Sequence, residues 1–303
     1  MGAATAAMVA WGLTGILVVL TKEPGLVVAL ERLVLGVPFV GVLLAVTGRR
    51  LDWSTFWRTV PGGVLLCADV ALFFSAVKLT SIADATVIGA LQPALVLFVA
   101  GPLFGEKPVR ADFLWTAVAI AGVGVVVLGS GGTGHHQVLG DLLALASVCS
   151  WTGYWLVSKQ ARLVRRPATG DEASISPGRQ AIGTIEYTSG VMVVAPVAMV
   201  PVALVSGQHF TVGTPTDWLW IGLMTLGPGG AHLASNWAHR FVGVTVSSVI
   251  VAANPVVAAG AAAVFLHQSL GLMQIIGGLA AIMAVAVVAG RAVRIEAVEA
   301  VVA

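Results

Sequence analysis

Residues 60–104 read VPGGVLLCADVALFFSAVKLTSIADATVIGALQPALVLFVAGPLF. Only Asp69, Lys78 and Asp84 are charged in this stretch. Two apolar runs, 60–79 and 82–104, each approach the ~20 residues that an α-helix needs to cross a bilayer. The polar turn between them is too short for anything but antiparallel neighbours. Val, Leu and Ala run continuously through both segments, without the alternation of a membrane β-barrel strand, so both are read as helices.

The same reading extends along the chain. Apolar runs fall at 3–21, 24–47, 60–79, 82–104, 111–129, 139–158, 181–206, 217–238, 244–266 and 270–290. The 303 residues are 58% apolar and 10% charged, with a mean hydropathy of +0.96. A soluble domain carries about 25% charged residues. The composition therefore excludes a water-soluble enzyme, a secreted disulfide scaffold and a disordered chain. The expected fold is an all-α integral membrane protein of ten transmembrane helices.

A net charge of +2 points to no nucleic-acid partner. Cys67 and Cys149 both lie in apolar runs and are read as small packing residues. No Walker loop and no metal or haem spacing is present, so no cofactor is called for and the chain itself is not expected to be an ATPase. The first run lacks the basic start and cleavage site of a signal peptide and is read as a retained span.

Charge sets orientation. With the N-terminus inside and spans alternating, thirteen of the 16 Lys and Arg residues fall on the inner side. Lys22 and Lys78 fall outside, and Arg32 lies within the second span. Both termini are therefore expected in the cytoplasm, with 160–180 as a cytoplasmic loop.

Shifting the chain by 162 residues sets Ala90-Leu91-Gln92-Pro93 on Ala252-Ala253-Asn254-Pro255, and Gly105-Glu106 on His267-Gln268. Earlier spans match at other offsets: Glu31 meets Glu186, and Trp11 meets Trp151. The reading is two halves of five spans, 1–130 and 139–292. Because five is odd, the second half enters from the opposite side. Such an inverted-topology repeat is the architecture many secondary transporters use for alternating access.

Here the sequence resembles the EamA-like family of the drug/metabolite transporter superfamily. Trp11-Gly12, Arg32, Ala76 to Ile82, Ala85, Gln92-Pro93, Gly105-Glu106-Lys107 and Gly122 carry the resemblance in the first half. Leu226-Gly227, Asn236, Ala238 to Val244, Val249, Asn254-Pro255, Gln268 and Gly277 carry it in the second. The resemblance implies ten helices, cytoplasmic termini, a central cavity and ATP-independent movement of a small metabolite. His267-Gln268 stands where the family usually has Gly-Glu, and Asn254 where it often has an acid.

The few polar residues are the candidate site. Asp69 sits near the bilayer midplane with apolar neighbours on its own helix, where a charge costs about 2.5–3.5 kcal/mol. It faces water, pairs across helices or is protonated. It is a candidate substrate ligand or proton carrier, with Phe73 one turn on. His232 lies next to Ala231, the repeat mate of Asp69, and Asn236 follows one turn later. Asp69 and His232 are thus expected to approach each other, an arrangement suited to proton coupling.

Glu31 and Glu186 match between the halves and are candidate gate residues, with Arg32 beside the first. Gln92-Pro93 and Asn254-Pro255 place carboxamides beside carbonyls that the prolines free. Leu226-Gly227-Pro228-Gly229-Gly230 predicts a kinked or broken eighth helix, so Pro93, Pro228 and Pro255 are the expected kinks. Trp11, Trp151, Tyr154 and Trp155 form a candidate aromatic wall suited to amino acids, aromatic compounds or organic cations. For each of these the plainer reading is packing, and the sequence leaves both open.

The function expected is a secondary transporter of a small metabolite, such as an amino acid or amphipathic compound. Its partners are the substrate, the lipid bilayer and, as candidate coupling ions, protons. The rivals are a membrane-embedded enzyme, which needs a reactive cluster at one depth, and a non-transporting membrane scaffold.

Overall fold

The structure, a computed structural model, describes residues 2–92, 94–96, 99, 110–129, 135–162, 182–208, 213–238, 254–267 and 270–302. Outside them lie Pro93, Gly105-Glu106-Lys107, Gln268, most of the expected 160–180 loop and the first part of the expected ninth span. The described residues are helical and contain no β-strand.

In chain order the helices are α1 (Gly2–Gly12), α2 (Thr14–Leu20), α3 (Gly25–Thr47), α4 (Trp53–Leu79) and α5 (Ile82–Gly89). They continue as α6 (Arg110–Gly129), α7 (His135–Arg162), α8 (Thr184–Val205) and α9 (Pro215–Met224). A π-helical turn (Thr225–Gly229) then leads into α10 (Gly230–Ala238), α11 (Asn254–Leu266) and α12 (Leu272–Val302). Among the described residues α3, α4 and α8 are, taken singly, long and apolar enough to cross a membrane.

Local chemistry sets the ends. Asp52 caps α4 by accepting from the Thr55 amide. Hydrogen bonds from Ser54 and Thr55 hold its carboxyl down at about 2. This cap moves the start of α4 seven residues upstream of the expected 60, through the exposed Trp53 and Trp57. Ser81 caps α5 after a turn of only Thr80 and Ser81, which keeps α4 and α5 antiparallel. Thr214 and Asp217 form a reciprocal capping box at α9, with Pro215 in the first turn. α12 runs beyond the expected 290, because Arg291, Arg294 and Glu296 end the apolar run without ending the helix.

His267 follows α11 with a left-handed φ of +53°. A side chain there costs about 1–2 kcal/mol relative to the right-handed region. Glycine adopts such a φ without that cost. His267→Gly is expected to stabilise the protein by about 0.5–1 kcal/mol after the greater freedom of unfolded glycine is deducted. Thermal unfolding in detergent reads the shift.

The polarity is that of a protein in lipid. Val46, Leu128, Leu204 and Val205 are more than 70% exposed. Thr188, Ser147, Thr152, Ser158 and Gln92 are buried. The core gathers Phe74, Leu66, Tyr187 and Met199 around α4, which packs against α7 and α8. In lipid such packing is held by close contact and interhelical hydrogen bonds rather than by expulsion of water. Cys67 packs beside Met199, while Cys149 is exposed and not a packing residue; both are free thiols.

Small residues set the closest approach. A Cβ on Gly122 of α6 would lie 2.7 Å from the Gly277 carbonyl oxygen and 2.8 Å from the Ala281 nitrogen of α12. A Cβ on Gly277 would lie 2.5 Å from the Gly122 oxygen. The two backbones touch across this pair.

Candidate functional site

Side chains of α1, α2, α3, α4, α5, α7, α10 and α11, with Ala90 and Gln92 just after α5, line an open central cavity of about 120 Å³. Of the residues singled out from the sequence, Trp11, Arg32, Asp69, Phe73, Gln92, Trp151, His232, Asn254 and Pro255 line it. Tyr154, Trp155 and Asn236 line a crevice too narrow for a water molecule, whose walls include Trp11, Trp151 and His232. The aromatic and imidazole rings therefore stand between the two spaces.

Asp69 accepts a hydrogen bond from the Ser147 hydroxyl of α7 at 2.6 Å. Arg32 acts on it electrostatically, and the Arg32 guanidinium lies 5.4 Å from the centre of the Phe74 ring. No hydrogen bond or ion pair joins Asp69 to His232, contrary to the expected pairing. His232 is instead packed among aromatic rings, with Trp11 and Trp151 each at 5.4 Å and Tyr154 at 5.9 Å. A hydroxyl one helix away satisfies the carboxylate more cheaply than an imidazole held in a ring cage.

Ser147 was not singled out from the sequence. The signal for it is helical spacing, since Ser147, Trp151 and Trp155 recur at i, i+4 and i+8 along α7.

Asn236 is a hub of the crevice. Its amide donates to the Thr188 hydroxyl at 2.9 Å and to the Tyr154 hydroxyl at 3.3 Å, and it accepts from Ser158 at 3.4 Å. These bonds tie α10 to α7 and α8. The sequence marked Asn236 and Tyr154 but not Thr188 or Ser158.

The expected interruption of the eighth helix is the π-helical turn Thr225–Gly229, which contains Pro228. Pro228 has no N–H to give to the carbonyl one turn earlier, which loosens the helix here. The Trp11 indole N–H donates to the Pro228 oxygen at 3.1 Å. This bond fixes Trp11, which meets Trp151 edge-on with ring centres 5.2 Å apart and planes at 85°. Trp151 stacks on Tyr154 at 5.3 Å and meets Trp155 at 5.7 Å. Near Gln92, α5 gives way to a turn at Ala90 and Leu91. Pro255 is the second residue of α11 as described.

Three residues that line the cavity carry buried polar atoms with no hydrogen-bond partner: both amide atoms of Gln92, Asn254 Oδ1 and His232 Nδ1. Glu31 and Glu186 lie away from the central cavity. Glu186 pairs with Arg49 at 2.7 Å. Glu31 Oε2 is buried without a partner, in the field of Glu23 and Asp217. Among the described residues no group of three His, Cys, Asp or Glu side chains is arranged to hold a metal ion.

A helical bundle with polar groups facing an internal cavity is the architecture of a membrane transporter. The profile of the EamA-like transporter family matches residues 1–128 and 138–290, and the chain belongs to that family, within the drug/metabolite transporter superfamily. Proteins of this family are membrane proteins. A solved structure titled "Crystal structure of protein" superposes with a TM-score of 0.67 at 21% identity, covering 97% of each chain. That likeness supports the fold. No curated protein matches the chain.

Proposed function

We propose that the protein is a secondary transporter that carries a small polar or amphipathic metabolite across the cytoplasmic membrane without ATP. In this reading the chain spans the bilayer ten times with both termini cytoplasmic. Its two inverted five-helix halves, 1–130 and 139–292, alternate access to the central cavity. The contacts of α3 with α8, α5 with α11 and α6 with α12 support it, because each joins segments that correspond between the halves.

The observation that carries the reading is the cavity itself. A carboxylate, a guanidinium, two carboxamides and an imidazole converge on one space between helices of both halves. Intramembrane ionisable groups are costly and mark pathways. The indole corner of Trp11 and Trp151 supplies an apolar wall. Arg49–Glu186 at one end and Glu31 at the other act as gate groups, and Asp69 and His232 are the groups available to couple a proton. Coupling is to a proton gradient or to the substrate's own gradient.

Purified protein in liposomes is expected to move a labelled metabolite in the absence of ATP, at a rate that changes when a pH gradient is imposed. Absence of movement across a broad metabolite panel, with protein shown to be folded and inserted, sinks the reading. A reporter fused after Ala303 is expected on the cytoplasmic side.

A further inference from the structure

We infer that the cavity takes an uncharged planar ring bearing an adjacent N–H and C=O, the lactam edge of a pyrimidine or purine base. This occupant presupposes that the cavity is the substrate site proposed above. Its chemistry follows from the hydrogen-bonding needs that the protein leaves unmet.

Gln92 is 1% exposed, and neither its amide oxygen nor its amide nitrogen has a partner. A carboxamide presents one acceptor and one donor side by side, and its complement is another cis-amide edge. Asn254 Oδ1 and His232 Nδ1 are likewise buried and unpartnered. All three residues line the same cavity. Buried polar atoms without partners are uncommon in folded proteins, and each calls for an explanation. Four such atoms on three residues around one space are explained together by a ligand that meets them.

The charges argue against an ionic occupant. Asp69 already accepts from Ser147, and Arg32 faces it electrostatically. One carboxylate and one guanidinium leave the cavity without net charge. A neutral ring leaves them undisturbed. The indoles of Trp11 and Trp151, set at 85°, both line this cavity and supply aromatic surface for a flat ring. The Trp11 bond to Pro228 holds the first of them in place.

The test is equilibrium binding to the purified full-length protein, read by isothermal titration calorimetry. The probes are uracil and hypoxanthine, with 1,3-dimethyluracil and L-tryptophan as comparators. Saturable binding of uracil or hypoxanthine is expected, with dimethyluracil weaker by about tenfold or more because methylation removes the donors. Gln92→Leu is expected to weaken base binding by a similar factor. If that variant does not fold, Asn254→Leu and the methylated probe carry the comparison. Binding of L-tryptophan without the bases overturns the inference and leaves the transport reading standing. Binding of none of the four probes also overturns it, while the liposome experiment on the broad panel decides transport separately.

Discussion

Asp69→Asn is expected to lower the transport rate at least about tenfold while leaving the fold intact. The Ser147 hydroxyl donates to Asp69 Oδ1 at 2.6 Å, and an asparagine oxygen in the same place can still accept that bond, though without the charge. The link between α4 and α7 therefore survives. What is lost is the negative charge on the cavity wall and the countercharge of the buried Arg32. A charge-assisted contact is worth about 1.5–3 kcal/mol, and tenfold corresponds to about 1.4 kcal/mol. Initial rates in proteoliposomes, with and without an imposed pH gradient, measure the effect, and the unfolding midpoint checks the fold. Wild-type rates with unchanged pH dependence would remove Asp69 from the mechanism.

Gly122→Val is expected to destabilise the protein by about 2–3 kcal/mol, toward the upper end of the usual cost of overpacking. The Cβ alone would sit 2.7 Å from a carbonyl oxygen and 2.8 Å from an amide nitrogen of α12. Backbone atoms cannot rotate aside as a side chain can, so α6 and α12 must separate along their length. A Cβ added at Gly124, two residues on, would meet nothing within 4 Å. Gly124→Ala is the control, expected to be neutral or slightly stabilising through helix propensity. Equal loss in the two variants, measured by thermal unfolding in detergent, would show that close approach at Gly122 does not matter.

Much of this molecule was legible in its sequence, because lipid permits few backbone solutions. A long apolar run must satisfy its peptide groups internally, and in a single segment it does so as a helix. The π-helical turn around Pro228 lies among residue types that weaken an α-helix. Asp69 stood out because a charge is costly at that depth. The extent of the helices was less legible: α4 begins at Trp53 and α12 ends at Val302, since helix formation does not stop where hydropathy falls.

Partner choice was the least legible. The spacing of Ser147 with Trp151 and Trp155 puts it on their face of α7, but only the packing of α7 against α4 names Asp69 as its partner. Asp69 and His232 line one cavity without bonding to each other, and the repeat sets Ala231 rather than His232 on the position of Asp69. A difference of one residue turns a helical side chain by about 100°. Glu31 and Glu186 matched in sequence yet differ in surroundings, one unpartnered and one bound to Arg49.

The same arithmetic gives the π-helical turn at Thr225–Gly229 a second meaning. A π turn accommodates one more residue than an α turn, so it resets the rotational phase of everything after it. In α10 that phase turns His232 toward the cavity and leaves Trp237 half exposed. A chain one residue shorter within this turn keeps nearly the same hydropathy and span length, yet swings His232 and Asn236 around the helix axis together. The register of one extra residue, held by an indole from α1, therefore decides which chemistry this helix shows to the interior.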